Sequence, residues 1–110
     1  MAVLYKDAFI QTDNENMTRR VLSHSPGMML VEMTFHKMSD DPNIHSHPHQ
    51  QIVFITEGKF EFIFEGKPGF IMEQGDSVYV EPDVRHGAKV LADNSKLLDI
   101  FSPRRDDFLK

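Results

Sequence analysis

The turn signals of this chain come at short intervals, and that spacing constrains its fold more than any other feature. Ser25-Pro26-Gly27, Asp40-Asp41-Pro42-Asn43, Glu57-Gly58, Gly66-Lys67-Pro68-Gly69, Gln74-Gly75-Asp76 and Asp93-Asn94-Ser95 divide it into short runs rich in β-branched and aromatic residues. Within the runs, apolar side chains alternate. MMLVEMTF (28–35) puts Met29, Val31, Met33 and Phe35 on one face. KFEFIFE (59–65) puts Phe60, Phe62 and Phe64 on one face, with Lys59, Glu61 and Glu65 on the other. SVYV (77–80) and KLLDIF (96–101) follow. A period of two broken by regular turns predicts an all-β chain, an antiparallel sandwich or barrel. Only the stretch near 104–109 is left for a helical turn. The phenylalanine and methionine stripes read as core, because a sheet packed on a second sheet buries one face.

At 110 residues the chain is expected to be one domain, 1–110, large enough for a core without staples. It has no cysteine, so disulfides and thiolate metal sites are excluded. The formal net charge is −5, and lysine and arginine are dispersed except at Arg19-Arg20 and Arg104-Arg105. An acidic chain without a basic stripe argues against nucleic-acid binding. MAVLYKDAFI has neither the basic nor the apolar region of a secretory signal, and no run is long enough to span a membrane. A cytoplasmic protein is the expectation.

Residues 45–51 read HSHPHQQ. In an extended chain residues two apart share a face, so His45, His47, His49 and Gln51 share parity. A neutral imidazole offers a metal one lone pair, and an amide oxygen can also ligate. Parity does not choose among the four, and Pro48, without an N–H, fits a loop or an edge. The wider spacing is more specific. His45-x-His47, three residues, Gln51, six residues, Gly58 resembles the first cupin motif, H-x-H-x(3–4)-E-x6-G. Gly75, five residues, Glu81, one residue, Asp83, two residues, His86 resembles the second, G-x5-P-x-G-x2-H. Glu81 and Asp83 stand where Pro and Gly are usual, with Pro82 between them, and Val90 stands at the usual Asn position.

The resemblance implies a small jelly-roll β-barrel with ligands pointing into its mouth. Carried over by position, the ligands of one divalent transition metal ion (Ni, Zn, Fe, Co or Mn) are His45, His47, Gln51 and His86. His49 matches no ligand position, and His24 and His36 match nothing. Gln51 replaces the usual glutamate. Three imidazoles and an amide leave the metal's charge uncompensated, which makes a stronger Lewis acid that favours anionic oxygen ligands.

A carboxylate in the last run is the second informative feature. In LLDIFSPRRDDFLK (97–110), Leu97, Asp99 and Phe101 share a face, while Leu98 and Ile100 take the other. An acid flanked by apolar residues is costly to bury unless paired, and such acids collect at active sites. A structural pair with an arginine, or an exposed edge position, would also account for Asp99.

The whole chain is similar to the KdgF family, single-domain cupins acting on unsaturated uronates from pectin and alginate breakdown. HSHPHQQIVFITEGKFEF, GDSVYVEPDVRHGA and LLDIFSPRRDDFL carry the likeness. The family motif is similar to HSHPHEQ, so Gln51 is the expected ligand and Gln50 stands in for a glutamate. The C-terminal motif is similar to D-x-F-x-P-x-R-E-D-F-L, with Asp106 in place of a glutamate. The resemblance implies metal-dependent opening of a cyclic 4,5-unsaturated uronate to 4-deoxy-5-keto-uronate, without redox change. By position Asp99, Phe101 and Arg105 match the family's functional residues, and the roles expected of them are that Asp99 shuttles the proton, Arg105 fixes the uronate carboxylate bidentately and Phe101 packs on the sugar ring. A cupin dioxygenase or isomerase for another small acid, and a non-catalytic sugar-binding cupin, are the competing readings. A homodimer is expected, with MMLVEMTF supplying an interface.

Overall fold

A computed structural model describes residues 1–110. The strands are β1 (Phe9–Asp13), β2 (Met17–Ser25), β3 (Met28–Phe35), β4 (Gln50–Glu57), β5 (Lys59–Phe64), β6 (Phe70–Glu73), β7 (Ser77–Val80), β8 (His86–Val90) and β9 (Ser95–Ser102). They form two antiparallel sheets, one ordered β1-β2-β3-β9-β4-β7 and the other β6-β5-β8. The four alternating runs become β3, β5, β7 and β9, and every turn signal falls at a strand junction. Strands β1, β2, β4, β6 and β8 are additional to those runs. The only helical pieces are 3-10 turns at Asp106–Leu109, where one was expected, and at Tyr5–Asp7, where none was.

Alternation decides what is buried. Met29, Val31 and Met33 of β3, Val53 and Ile55 of β4, and Leu97 and Phe101 of β9 face inward from the larger sheet. They meet Phe60, Phe62, Met72 and Val90 from the smaller one, so the core is the space between two sheets closed as a jelly roll. The opposite residues of β3, Leu30, Glu32 and Thr34, are only partly buried.

Two glycines shape the connections. Gly58 joins β4 to β5 with φ +82°, and a Cβ there would overlap the Ser95 side chain and approach its Cα to 2.7 Å. Ser95 is fully buried and its Oγ accepts from the Lys59 N–H at 3.1 Å, so it has no room to retreat. Gly87 sits under the strap of residues 36–49 that joins β3 to β4, where a Cβ would strike the Pro42 carbonyl. That close approach lets the strap run along β8, bridging Ser39 to Val90 and His45 to His86.

Gly66 has the same φ of +82° but open space around it. Gly66→Ala should therefore cost about 1 kcal/mol, the backbone penalty alone, and Gly58→Ala about 3 kcal/mol or more through the added overlap. Urea unfolding of both variants checks this; equal losses would remove the steric part.

Candidate metal centre and active site

The strap sets His45 directly against His86. Each backbone N–H donates to the other's carbonyl at 2.9 Å, and the rings lie 4.6 Å apart. His47 follows in a bend whose carbonyl accepts from the Asp83 N–H at 2.8 Å, with its ring 5.1 Å from His86. One ring nitrogen from each of His45, His47 and His86 lies within 4.8 Å of the others, and this cluster could hold a metal ion.

All three rings are anchored alike. Nδ1 of His45 meets the Asn43 carbonyl at 2.7 Å, Nδ1 of His47 the His49 carbonyl at 3.0 Å, and Nδ1 of His86 the Val84 carbonyl at 2.8 Å. A carbonyl only accepts, so each Nδ1 carries the hydrogen and each Nε2 presents a lone pair. His86 Nε2 is buried without a partner. His47 Nε2 faces Gln51 Oε1 at 2.9 Å, while Gln51 Nε2 donates to Asp99 Oδ1 at 2.7 Å and so orients the amide. Two lone-pair atoms facing each other beside an orphan third are what a cation satisfies, and the donor set fits a divalent transition metal. Burial foremost pushes His86 down to about 4, against the opposing Val84 hydrogen bond, and burial followed by the Arg105 charge lowers His47. Both rings are thereby held in the neutral form that ligates.

The acid lies behind the amide. Asp99 on β9 is flanked in register by Val31 of β3 and Val53 of β4, and is 8% exposed. Burial raises its pKa from 3.8 to about 6, against the opposing pull of the Gln51 hydrogen bond and the Arg19 and Arg105 charges. Phe101 is buried, its ring edge-on to His47 at 5.6 Å and to Phe108 at 5.6 Å. The Arg105 guanidinium lies 4.1 Å from the Phe108 centroid. Its fork is filled by Asp107, through Nε to Oδ1 at 3.1 Å and Nη2 to Oδ2 at 2.9 Å. Bidentate capture of a substrate carboxylate by Arg105 therefore requires that pair to open. A cavity of about 470 Å³ brings His45, Gln51, His86, Asp99, Phe101 and Arg105 onto one wall system.

Other residues fall outside it. Gln50 faces away, accepting from the Tyr79 hydroxyl at 2.9 Å, so its replacement of a glutamate does not touch the cavity. Asp83 keeps the left-handed turn of the glycine it replaces, with φ +65°. His24 is exposed on β2, and His36 Nε2 bonds Thr18 Oγ1 at 2.9 Å. Shared parity does not explain the ligand geometry, because β4 begins only at Gln50; the bridge between strap and β8 does. Sequence reasoning missed two contributors. One is the His49 carbonyl, which no side-chain pattern reveals. The other is Arg19, which was visible only as half of a dibasic pair.

Comparison with known proteins agrees with this geometry. The pattern of the Cupin domain family matches residues 31–101. The pectin degradation protein KdgF of Dickeya dadantii (strain 3937) is 33% identical over 96 residues, 86% of each chain. The structure of KdgF from Halomonas sp. superposes with a TM-score of 0.86 at 30% identity, covering 97% of this chain and 96% of that one. An RmlC-like cupin from Shewanella frigidimarina NCIMB 400 gives 0.85 at 29% identity, covering 97% and 94%. With its two sheets and histidine cluster, the chain is a cupin. Within the cupins it belongs to the KdgF family.

The buried acid has a measurable consequence. Because the folded-state pKa of Asp99 is raised, its contribution to stability is intact below pH 3.8 and is lost as pH rises through about 6. In metal-free protein, Asp99→Asn should be more stable than wild type at pH 7.5 by up to about 3 kcal/mol. The gap should close below pH 4. Thermal melts across pH check this, and a variant less stable at every pH would contradict it.

Proposed function

We propose that this chain is a metal-dependent enzyme that opens 4,5-unsaturated uronate monomers from pectin or alginate breakdown to 4-deoxy-5-keto-uronate. The observation that carries this reading is the Gln51 amide, which ties the imidazole cluster to the buried acid in one cavity. The name of the Dickeya relative, a pectin degradation protein, points the same way.

The substrate is a cyclic hemiacetal whose ring oxygen belongs to an enol ether. Opening takes one proton from the anomeric hydroxyl, breaks the bond from the anomeric carbon to the ring oxygen, and delivers one proton to C4. No electrons are gained or lost, so one proton carrier is enough. A divalent ion held by His45, His47, Gln51 and His86 supplies, when bound, a Lewis acid for the negative charge developing on oxygen. Asp99 takes the hydroxyl proton and returns one to C4. Gln51 holds Oδ1 of Asp99, which leaves Oδ2 for the proton. Phe101 covers the sugar ring and excludes water. Arg105, stacked on Phe108 and paired with Asp107, lends positive charge to the wall that meets an anionic sugar.

The ultraviolet absorbance of the unsaturated acid should fall on adding metal-loaded protein. A chelator should stop the loss and added metal restore it. Asp99→Ala should slow it by about 10²- to 10⁴-fold with metal content unchanged. A rate equal to wild type removes Asp99 from the mechanism, and oxygen uptake during turnover would mark a dioxygenase instead.

We also propose that two copies pair through the outer face of the larger sheet. Leu30, Ile100, Ile52 and Tyr79 form one row in register across β3, β9, β4 and β7, with Ile52 43% and Tyr79 50% exposed. The inward residues of MMLVEMTF are core, so the interface draws on β9, β4 and β7 as much as on β3. Light scattering should give twice the chain mass for wild type and a monomer for Ile52→Lys; a monomeric wild type would sink the pairing.

A further inference from the structure

Two dibasic pairs stand out in the sequence, and the fold splits each. Arg20 turns outward to Glu32 at 3.7 Å and to the face of Tyr5, and Arg104 bonds Asp106 at 2.8 Å. Arg19 and Arg105 instead line the cavity. Arg19 is in register with Met33 and shares the inward parity of Val21, so β2 holds it in the wall beside Asp99. Its guanidinium lies 4.1 Å from the Phe108 centroid. Nη1 donates to Gln11 Oε1 at 3.0 Å, and Nε is buried with no acceptor.

Arg20 Nε is buried without a hydrogen bond as well, but Glu32 faces it at 3.7 Å. Arg19 is instead a half-buried cation in a cavity wall with no carboxylate on its fork, a costly arrangement that an anion in the cavity would relieve. Arg105 already has its anion, since Asp107 fills its fork. Arg19 has only a neutral amide within hydrogen-bond distance, with Asp99 and Asp107 near enough to act on it through charge alone, against the opposing charge of Arg105. A flat guanidinium seated on an aromatic ring offers its edge to a planar carboxylate with little freedom left to lose.

We propose that Arg19 is the residue that receives the carboxylate of the sugar acid and makes the site selective for acids over neutral sugars. This rests on the ring-opening reading for the substrate class, and deepens it by assigning the carboxylate to the β2 wall. Arg19 is then a substrate-binding residue on the strand opposite the C-terminal motif, and Arg105 with Asp107 is a charged support for Phe108 and Phe101.

The test pairs a change in the protein with a change in the ligand. Binding of D-galacturonate and of its methyl ester to metal-loaded protein is measured by calorimetry, which needs no turnover. Wild type should bind the acid about 10- to 100-fold more tightly than the ester. In Arg19→Gln the two should fall within about threefold, through weaker acid binding with ester binding unchanged. Arg19→Lys should recover part of the preference and guards against a folding defect in the first variant. The inference is overturned if the preference survives Arg19→Gln, if only Arg105→Gln abolishes it, or if wild type has none. A wild type that shows the Arg19-dependent preference but leaves the unsaturated uronate intact sinks the ring-opening reading and leaves this one standing. Turnover with a preference indifferent to Arg19 does the reverse.

Discussion

The Gln51 amide is the contact on which the mouth of this barrel depends. An amide has one end that accepts and one that donates, and here the two ends meet different demands. Oε1 faces His47 Nε2 at 2.9 Å, where a cation is wanted, and Nε2 donates to Asp99 at 2.7 Å. A glutamate at this place could meet only the first. It would set a second carboxylate beside Asp99, and like charges so close disfavour each other's ionisation. The glutamine at the usual glutamate position of a cupin motif thus follows from the acid on β9. The register makes the contact rigid: Gln51 pairs with Phe101 across adjacent strands and reaches diagonally to Asp99, one of the short side-chain paths a sheet provides.

The histidines depend on backbone rather than on strands. His45 and His47 ride on the strap, held against β8 because Gly87 admits the Pro42 carbonyl and because Asn43 accepts a φ of +50°. Each ring is then fixed by a carbonyl two residues away in sequence, the Asn43, His49 and Val84 carbonyls in turn. A loop placed by a rigid scaffold can aim side chains in directions that a pleat cannot, and function concentrates there for that reason.

This division explains what could be read from the sequence. Strands β3, β5, β7 and β9 were legible because each alternates cleanly between core and solvent. β2 was not, because Arg19 sits at an inward position where alternation calls for an apolar residue, and the burial along β6 and β8 does not alternate. The ligand set was legible from motif spacing, and Asp99 from the apolar residues on either side of it. What the motifs could not convey was why the ligands converge, since bridging carbonyls carry no side-chain signature. The occupied fork of Arg105 was equally hidden, because Asp107 is two residues away and reads as just another surface acid.

The charges of the mouth bear on the proposed preference for an acid. The chain carries a formal charge of −5, yet the cavity wall holds Arg19, Lys37 and Arg105, with His45, Gln51 and His86, against Asp41, Asp99 and the Asp107 that Arg105 already engages. Arg20 and Arg104 are cancelled locally by Glu32 and Asp106, so the outward halves of the dibasic pairs add little to the surrounding field. A divalent ion in such a site leaves the mouth positive inside an otherwise acidic surface, and low-dielectric walls focus that potential. A neutral sugar would find the same shape without the field. An acid would gain from both, and a glutamate at position 51 would weaken that gain by taking one positive charge out of the balance. The amide that orients Asp99 is therefore also what keeps the cavity attractive to an anion.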